Sequence, residues 1–197
     1  MKKKDLKKLL NNLPKVPGIL GRDRYFNSAI LIPLIKIDKE YYILFQKRAK
    51  HIRQGGDICF PGGGVESIDK SFKHTALRET KEELGIEKKN IKIIGKLDTL
   101  VTSFGAIVEP FIGIIKKKTL KKMVLDTNEV EKTILIPLEF FKNYKEEIYT
   151  LRNEIKPSHI NEKGEEEIYL PVKKLGISSN YTKPWGVKKH KIWVYRY

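Results

Sequence analysis

The sequence contains a single cysteine, Cys59, among its 197 residues. A lone cysteine excludes an internal disulfide framework and is typical of a reducing compartment, so we expect a cytoplasmic protein. Long apolar runs are also missing, and without a run of about 18 apolar residues we predict no membrane-spanning helix. The basic residues at 2–4 are not followed by the apolar block of a secretory signal peptide. At this length we expect one domain over residues 1–197.

Acidic side chains are scarce relative to basic ones. Forty Lys and Arg residues stand against 24 Asp and Glu residues, which gives a formal net charge of +16. Such a charge attracts anions, and nucleic acid is one candidate because duplexes bind proteins largely through phosphate neutralisation. However, lysine greatly outnumbers arginine, which base readout and phosphate forks favour, and no nucleic-acid-binding motif accompanies the charge. We therefore interpret the charge as a lysine-rich surface and keep nucleic acid as a less favoured partner.

One segment in the first half of the chain has the pattern of an amphipathic helix. Four residues recur at every fourth position, the spacing of one helix face: Phe72, Ala76, Thr80 and Leu84. Ser71 can cap the N-terminus with its hydroxyl, and Gly85 can end the helix in the left-handed conformation. The pattern therefore predicts a helix of about four turns.

The predicted helix carries three glutamates, Glu79, Glu82 and Glu83, within an arc of about 100°. Like charges at this spacing repel one another, and Mg²⁺ would relieve the repulsion because it prefers carboxylate oxygens and keeps substrate phosphates among its other ligands. The alternative is an ordinary acidic surface. The glycine turn at 62–64 and the adjoining Arg78 favour a metal site.

This segment resembles the Nudix box. The pattern of that box is a glycine, any five residues, a glutamate, any seven residues and then R-E-U-x-E-E-x-G-U, where U is an apolar residue. Residues 78–86 match the second half except for Thr80. Counting from Gly64 places Lys70 at the first glutamate, whereas counting from Gly63 places Asp69 there, with eight residues before Arg78. The second alignment resembles the coenzyme A pyrophosphatase branch, whose pattern includes F-P-G-G and T-A-L-R-E. This sequence has F-P-G-G at 60–63 and T-A-L-R-E at 75–79.

The resemblance implies the Nudix fold, an α/β sandwich with a mixed sheet and the box at 62–86 as loop–helix–loop. It implies a pyrophosphohydrolase that uses Mg²⁺ or Mn²⁺ and acts on a small nucleotide substrate. By this resemblance the metal-binding residues are Glu79 and Glu83, with Glu82 and Gly63 assisting. The catalytic residues are Glu79, Glu82, Glu83 and Arg78, of which Arg78 orients a box glutamate. The substrate-binding residues are Gly62, Gly64, Arg48 and Arg53.

The choice of coenzyme A depends on a second stretch before the box. Five residues match the branch pattern in order: Leu44, Arg48, Arg53, Gly56 and Phe60. Gln46 replaces a threonine of that pattern, and the interval from Arg53 to Gly56 is one residue short. Other Nudix substrates therefore stay open, among them NADH, ADP-ribose, nucleoside triphosphates and capped RNA. A catalytically silent nucleotide- or RNA-binding module is the alternative outside enzymes.

The remaining predictions concern position along the chain. Glu129 or Glu131 could supply a further metal ligand or the catalytic base, or could be a plain acid at a helix start. We predict a helix at 5–13 with a connector to residue 21, and a solvated loop at 116–122. Strands are predicted at 27–37, 41–46, 91–97, 105–115 with an interruption at Glu109-Pro110, 133–137, 165–170 and 191–195. The sequence leaves the oligomeric state open, a homodimer included.

Overall fold

The computed structural model describes residues 3–14 and 18–197. Part of the connector predicted to reach residue 21, namely 15–17, lies outside the described residues. The chain separates into two compact units, the first ending at Glu139 and the second spanning Phe140–Tyr197. We describe each unit by itself, and the single domain over 1–197 stays a prediction.

The first unit is built on an eight-stranded mixed sheet. Its strands are β1 (Phe26–Ile37), β2 (Glu40–Arg48), β3 (Ile58–Cys59), β4 (Gly62–Gly64), β5 (Ile91–Lys96), β6 (Leu100–Val101), β7 (Ala106–Ile115) and β8 (Val130–Pro137). The strand order is β3-β2-β1-β7-β5, with β4 also paired to β1, β6 to β7 and β8 to β2. Strands β1 and β7 run parallel, whereas the other pairs are antiparallel. The predicted α/β class with a mixed sheet is confirmed.

The helices are α1 (Lys3–Asn11), α2 (Phe72–Leu84), α3 (Lys117–Leu120) and α4 (Leu138–Asn143). The two caps predicted for α2 are present, since the Ser71 hydroxyl accepts the His74 N–H and Gly85 adopts φ 66°. Helix α1 confirms the amphipathic helix predicted at 5–13, shifted by two residues at each end. No helix in the described part of the chain combines the length and the apolar character needed to cross a bilayer.

Helix α2 packs its apolar face against the centre of the sheet. Ala76 and Leu84 are fully buried there together with Ala29 and Leu31 of β1. Because alternate residues of a strand point to one face, the odd-numbered residues of β1 and β7 and the even-numbered residues of β2 face α2. This packing holds the C-terminal half of α2 over β2 and β4.

Two predictions about the connections are wrong. Strand β7 runs without interruption through Glu109 and Pro110. Pro110 is tolerated because this part of β7 faces the gap between β5 and β6, where a missing N–H breaks no regular ladder. The predicted solvated loop at 116–122 contains the one-turn helix α3, in which Thr119 is buried.

The second unit contains two small antiparallel ladders, one of β9 (Glu147–Ile155) with β12 (Trp185–Val194) and one of β10 (Ser158–Ile160) with β11 (Glu166–Ile168). It also contains the short helix α5 (Val172–Leu175). Strand β12 extends the strand predicted at 191–195 toward the N-terminus, and β11 is shorter than the predicted 165–170. Strands β9 and β10 were not predicted, because the apolar residues of β9 do not alternate strictly with polar ones.

Candidate functional site

Glu83 lies at the centre of the site, between α2 and the sheet. Its side chain is buried, and only 2% of the residue surface is exposed. Oε1 accepts a 2.7 Å hydrogen bond from Nε2 of Gln46, and Oε2 accepts a 2.8 Å bond from the backbone N–H of Gly62. Burial, together with the charges of the neighbouring Glu79 and Glu129, raises the pKa of the Glu83 carboxyl to about 7 despite these two bonds. A carboxylate in this position attracts a proton or a cation.

Glu79 lies one turn before Glu83 and faces β4. A Cβ atom at Gly63 would lie 2.5 Å from the Glu79 carboxyl carbon, so only glycine allows this approach of backbone and carboxylate. Burial raises the pKa of Glu79, although the adjacent Arg78 opposes the shift. The charge of Glu129 raises the pKa of both Glu79 and Glu83. We call Glu79, Glu83 and Glu129 the carboxylate cluster.

The loop before β8 brings Glu129 to this cluster. The backbone carbonyl of Glu129 accepts a 2.8 Å hydrogen bond from the N–H of Ala49, which joins the loop to the end of β2. The Glu129 side chain is exposed. Glu131, the alternative ligand or base, instead forms a 2.9 Å ion pair with Lys47. Of these two residues it is therefore Glu129 whose charge raises the pKa of Glu79 and Glu83.

Arg78 is held by a buried aspartate. Its Nε and one terminal nitrogen donate bonds of 3.1 and 2.9 Å to the two carboxyl oxygens of Asp69, whose side chain has no exposed surface. The Arg78 guanidinium holds the pKa of Asp69 well below its usual range, and Thr75 and His74 add hydrogen bonds. Lys70, the residue at this place in the first alignment, is exposed. The geometry thus agrees with the alignment that starts at Gly63.

The remaining N–H groups of Arg78 contact the box itself. They donate to the Gly64 carbonyl at 3.0 Å and to Glu82 at 2.7 Å, and lie 3.0 Å from a Glu79 oxygen. Arg78 is therefore placed to orient box carboxylates. Glu82, a predicted metal ligand, is 55% exposed and held by Arg78 outside the carboxylate cluster.

The predicted substrate residues lie at the edges of the site. Arg48 donates from Nε to the Arg53 carbonyl at 3.1 Å and also hydrogen-bonds the Cys59 thiol, while the Arg53 side chain is exposed. Cys59 pairs with Gln46 across β2 and β3, and Gln46 bonds Glu83. Two side chains, Cys59 and Gln46, therefore connect Arg48 to Glu83. The N–H of Gly62 and the carbonyl of Gly64 bind Glu83 and Arg78 respectively.

Sequence analysis missed the part played by Gln46, which it treated as a departure from a family pattern. The available signal was a long polar side chain within the apolar strand β2, on the same face of the strand as the buried Leu44. A buried amide needs a hydrogen-bonding partner, and periodicity along β2 does not show that the partner is Glu83.

The donor chemistry of the cluster suits a hard divalent cation. No group of three or more His, Cys, Asp or Glu side chains within residues 3–14 and 18–197 stands in a metal-holding arrangement, and both Glu79 and Glu82 contact Arg78. However, the pKa values of Glu79 and Glu83 are raised by burial and by the charges of neighbouring glutamates. Since a divalent cation favours the ionised form of both, and the Gly63 backbone lies against Glu79, these residues fit such an ion.

A pH-dependent loss of stability is expected for the metal-free protein. The folded-state pKa of Glu83 is above its ordinary value of 4.5, so its contribution to stability is present at low pH and is lost as pH rises through about 7. The loss is on the order of 3 kcal/mol. Thermal unfolding in excess chelator between pH 5 and 8 measures it, with Glu83→Gln for comparison. Equal slopes in the two proteins would contradict this assignment.

Comparison with known proteins gives a consistent family. The family model described as NUDIX domain matches residues 25–175, across the boundary between the two units. Nudix hydrolase 3 of Caenorhabditis elegans is 34% identical over 146 residues, which is 69% of this chain and 60% of that protein. A protein of Yersinia pestis described as uncharacterized Nudix hydrolase NudL is 37% identical over 109 residues, or 52% of this chain and 54% of that protein. The chain thus spans little more than half the length of these relatives.

Solved structures give more distant matches. The binary complex of a C. elegans Ap4A hydrolase matches with a TM-score of 0.48 and 19% identity, over 58% of this chain and 81% of that chain. The NUDIX domain of Shewanella oneidensis NrtR, complexed with ADP ribose, matches with a TM-score of 0.47 and 16% identity, over 74% of this chain and 89% of that chain.

Proposed function

The chain belongs to the Nudix family, and we propose that it is a pyrophosphohydrolase that requires Mg²⁺ or Mn²⁺ and cleaves coenzyme A or a close derivative. The products would be 3′,5′-ADP and 4′-phosphopantetheine. The observation that carries the hydrolase is the carboxylate cluster, in which Glu83 and Glu79 lie against the glycine strand β4 and the charge of Glu129 raises the pKa of both. We place the enzyme in the cytoplasm because of its lone cysteine.

Glu79 and Glu83 would hold the cation, with Gly63 beside them and Glu82 assisting from the exposed side. When bound, Mg²⁺ or Mn²⁺ neutralises the pyrophosphate charge and lowers the pKa of water. Gly62 and Gln46 keep the Glu83 carboxylate in one orientation, and Arg78 does the same for Glu79. The buried Asp69 fixes Arg78 in turn.

The reaction is a displacement at phosphorus. A water oxygen forms a bond to one phosphorus of the pyrophosphate, and the bond from that phosphorus to the bridging oxygen breaks. The electron pair of that bond leaves with the second phosphate. The proton of the attacking water goes to a carboxylate, for which we propose Glu129, because it is the exposed member of the cluster and can return the proton to solvent.

The support for coenzyme A comes from the loop that follows β2. The residues that match the coenzyme A pattern include Arg48 and Arg53, which the Arg48-to-Arg53 hydrogen bond ties together. Arg48 is connected to Glu83 through Cys59 and Gln46, so a substrate whose pyrophosphate lies at the cluster would reach this loop. Coenzyme A carries a 3′-phosphate outside the scissile bond, and guanidinium groups bind phosphate in a forked geometry.

Coenzyme A is therefore expected to be cleaved more efficiently than dephospho-coenzyme A. A hydrogen bond to a charged group contributes about 1.5–3 kcal/mol, which corresponds to a preference of roughly ten- to a hundred-fold. Arg48→Ala or Arg53→Ala should narrow that preference. The measurement is kcat/KM for both compounds, ADP-ribose and NADH with each protein, and Arg152→Ala in the second unit serves as the matched control.

Three results would each contradict a different part of this proposal. If the unaltered protein prefers ADP-ribose or NADH, coenzyme A is wrong while the pyrophosphohydrolase proposal stands. If coenzyme A is preferred but neither Arg48→Ala nor Arg53→Ala changes its ratio to dephospho-coenzyme A, the 3′-phosphate is recognised elsewhere. If no nucleotide is hydrolysed with either metal, the enzyme proposal itself fails.

A further inference from the structure

Gln46 is a buried amide in an otherwise apolar part of β2. Only 1% of its surface is exposed, and it lies between Cys59 of β3 and Thr133 of β8 in the ladder. Its Nε2 donates the 2.7 Å bond to Glu83, whereas its Oε1 is buried and has no hydrogen-bond partner among the described residues. This side chain therefore donates to a carboxylate of the cluster and also hydrogen-bonds the Cys59 thiol.

An unpaired amide oxygen makes Gln46 an unfavourable choice for stability alone. Leaving a buried acceptor without a donor costs about 1–3 kcal/mol. Met, of similar length, would occupy the same place in the sheet without a polar atom to satisfy. The orientation of the amide is also determined, because an ionised carboxylate only accepts hydrogen bonds and so requires the NH₂ group to face it.

We propose that Gln46 is a positioning residue that holds the Glu83 carboxylate in the orientation required to bind the divalent cation. The inference rests on the proposed function, since it assumes that Glu83 is a ligand. The geometry supports it because Glu83 is held from two strands, by Gln46 of β2 on one oxygen and by the Gly62 N–H of β4 on the other. Two donors on different oxygens define the plane of the carboxylate, while the other lone pairs stay available.

Of the two groups that donate to Glu83, mutation can remove the Gln46 amide more simply than the Gly62 N–H. The Gly62 donor is a backbone N–H at φ 151°, so no substitution there removes it without strain. Gln46 is a side chain, and its removal leaves the strand and the Gly62 bond in place. Residues that orient metal ligands typically change metal affinity by about 10- to 100-fold when they are mutated.

The test is Mn²⁺ binding to the substrate-free protein, measured by isothermal titration calorimetry. We expect Gln46→Met to weaken binding by about 10- to 100-fold. Ser28→Ala is the matched control, because it removes another buried side-chain hydrogen bond of the same sheet, from Ser28 to the Ile107 carbonyl, and should leave Mn²⁺ affinity unchanged. Circular dichroism establishes that each variant is folded, and Gln46→Asn, which keeps the amide but shortens its reach, replaces Gln46→Met if that protein does not fold.

A double-mutant cycle separates positioning from a general structural effect. If Gln46 acts through Glu83, adding Gln46→Met to Glu83→Gln should weaken Mn²⁺ binding no further. Unchanged affinity in folded Gln46→Met and Gln46→Asn, or losses that simply add in the double variant, would overturn the inference while leaving the pyrophosphohydrolase intact. A wild-type protein that neither binds Mn²⁺ nor hydrolyses nucleotides would defeat the proposed function and this inference with it.

Discussion

Glu83→Gln is expected to lower the rate of hydrolysis by roughly 10²–10³-fold, and hydrolysis by the unaltered protein should require a divalent cation. The substitution keeps the size of the side chain but removes the charge that a cation would bind. The size of the loss is that of one main electrostatic contact in a transition state. Steady-state rates with Mg²⁺, with Mn²⁺ and in excess chelator provide the measurement.

Glu87→Gln is the matched control for this substitution. Glu87 follows the end of α2, and its side chain forms an exposed 3.2 Å ion pair with Lys81, so its loss should change the rate little. Mn²⁺ should raise the melting temperature of Glu87→Gln as it does that of the unaltered protein, but should raise that of Glu83→Gln much less. Near-normal turnover of Glu83→Gln, or full activity in chelator, would show that Glu83 is not a metal ligand.

Asp69→Ala is expected to destabilise the protein by about 3–5 kcal/mol, the range for removing one partner of a buried ion pair. Arg78 is only 10% exposed and would lose its forked contact with the one fully buried carboxylate among its described ion-pair partners. Thr75 and the backbone N–H of Glu66 would lose the same acceptor. Urea unfolding of the metal-free proteins at neutral pH measures the free energy of unfolding.

Glu66→Ala is the control for Asp69→Ala because both carboxylates contact Arg78. Glu66 lies 3.5 Å from Arg78 and its side chain is 59% exposed, so its removal should cost less than about 1 kcal/mol. Similar losses in the two variants would mean that the buried Asp69–Arg78 pair contributes no more than an exposed one. That result would contradict the assignment of Asp69 as the residue that fixes Arg78 in the box.

The features that the sequence predicted well depend on residues close together in the chain. The extent of α2 follows from its repeat of apolar residues, the Ser71 cap and the Gly85 stop, all of which act within a few residues. The mixed sheet follows from the apolar strand β1 and from the family resemblance of the box. Strand β9 was missed because the pattern of its side chains does not reveal its pairing with the distant β12.

The contacts that organise the candidate site depend on residues far apart in the chain. The sequence left both Asp69 and Lys70 as candidates for the position of the first box glutamate, and both Glu129 and Glu131 as the extra carboxylate. The fold separates the members of each pair, since Asp69 is buried on Arg78 and Glu131 is drawn to Lys47. Burial and ion pairing decide such choices, and both depend on neighbours that the local sequence does not contain.

The sequence by itself determined that this chain carries a box helix with its glutamates on one side, because helical spacing and end caps are local properties. Only the tertiary structure decided that Glu83 is the buried member, that Gln46 and Gly62 hold it, and that the charge of Glu129 raises its pKa. The physical reason is the packing of α2 on the sheet. That packing removes Glu83 from water and brings hydrogen-bond donors of β2 and β4 against its carboxylate.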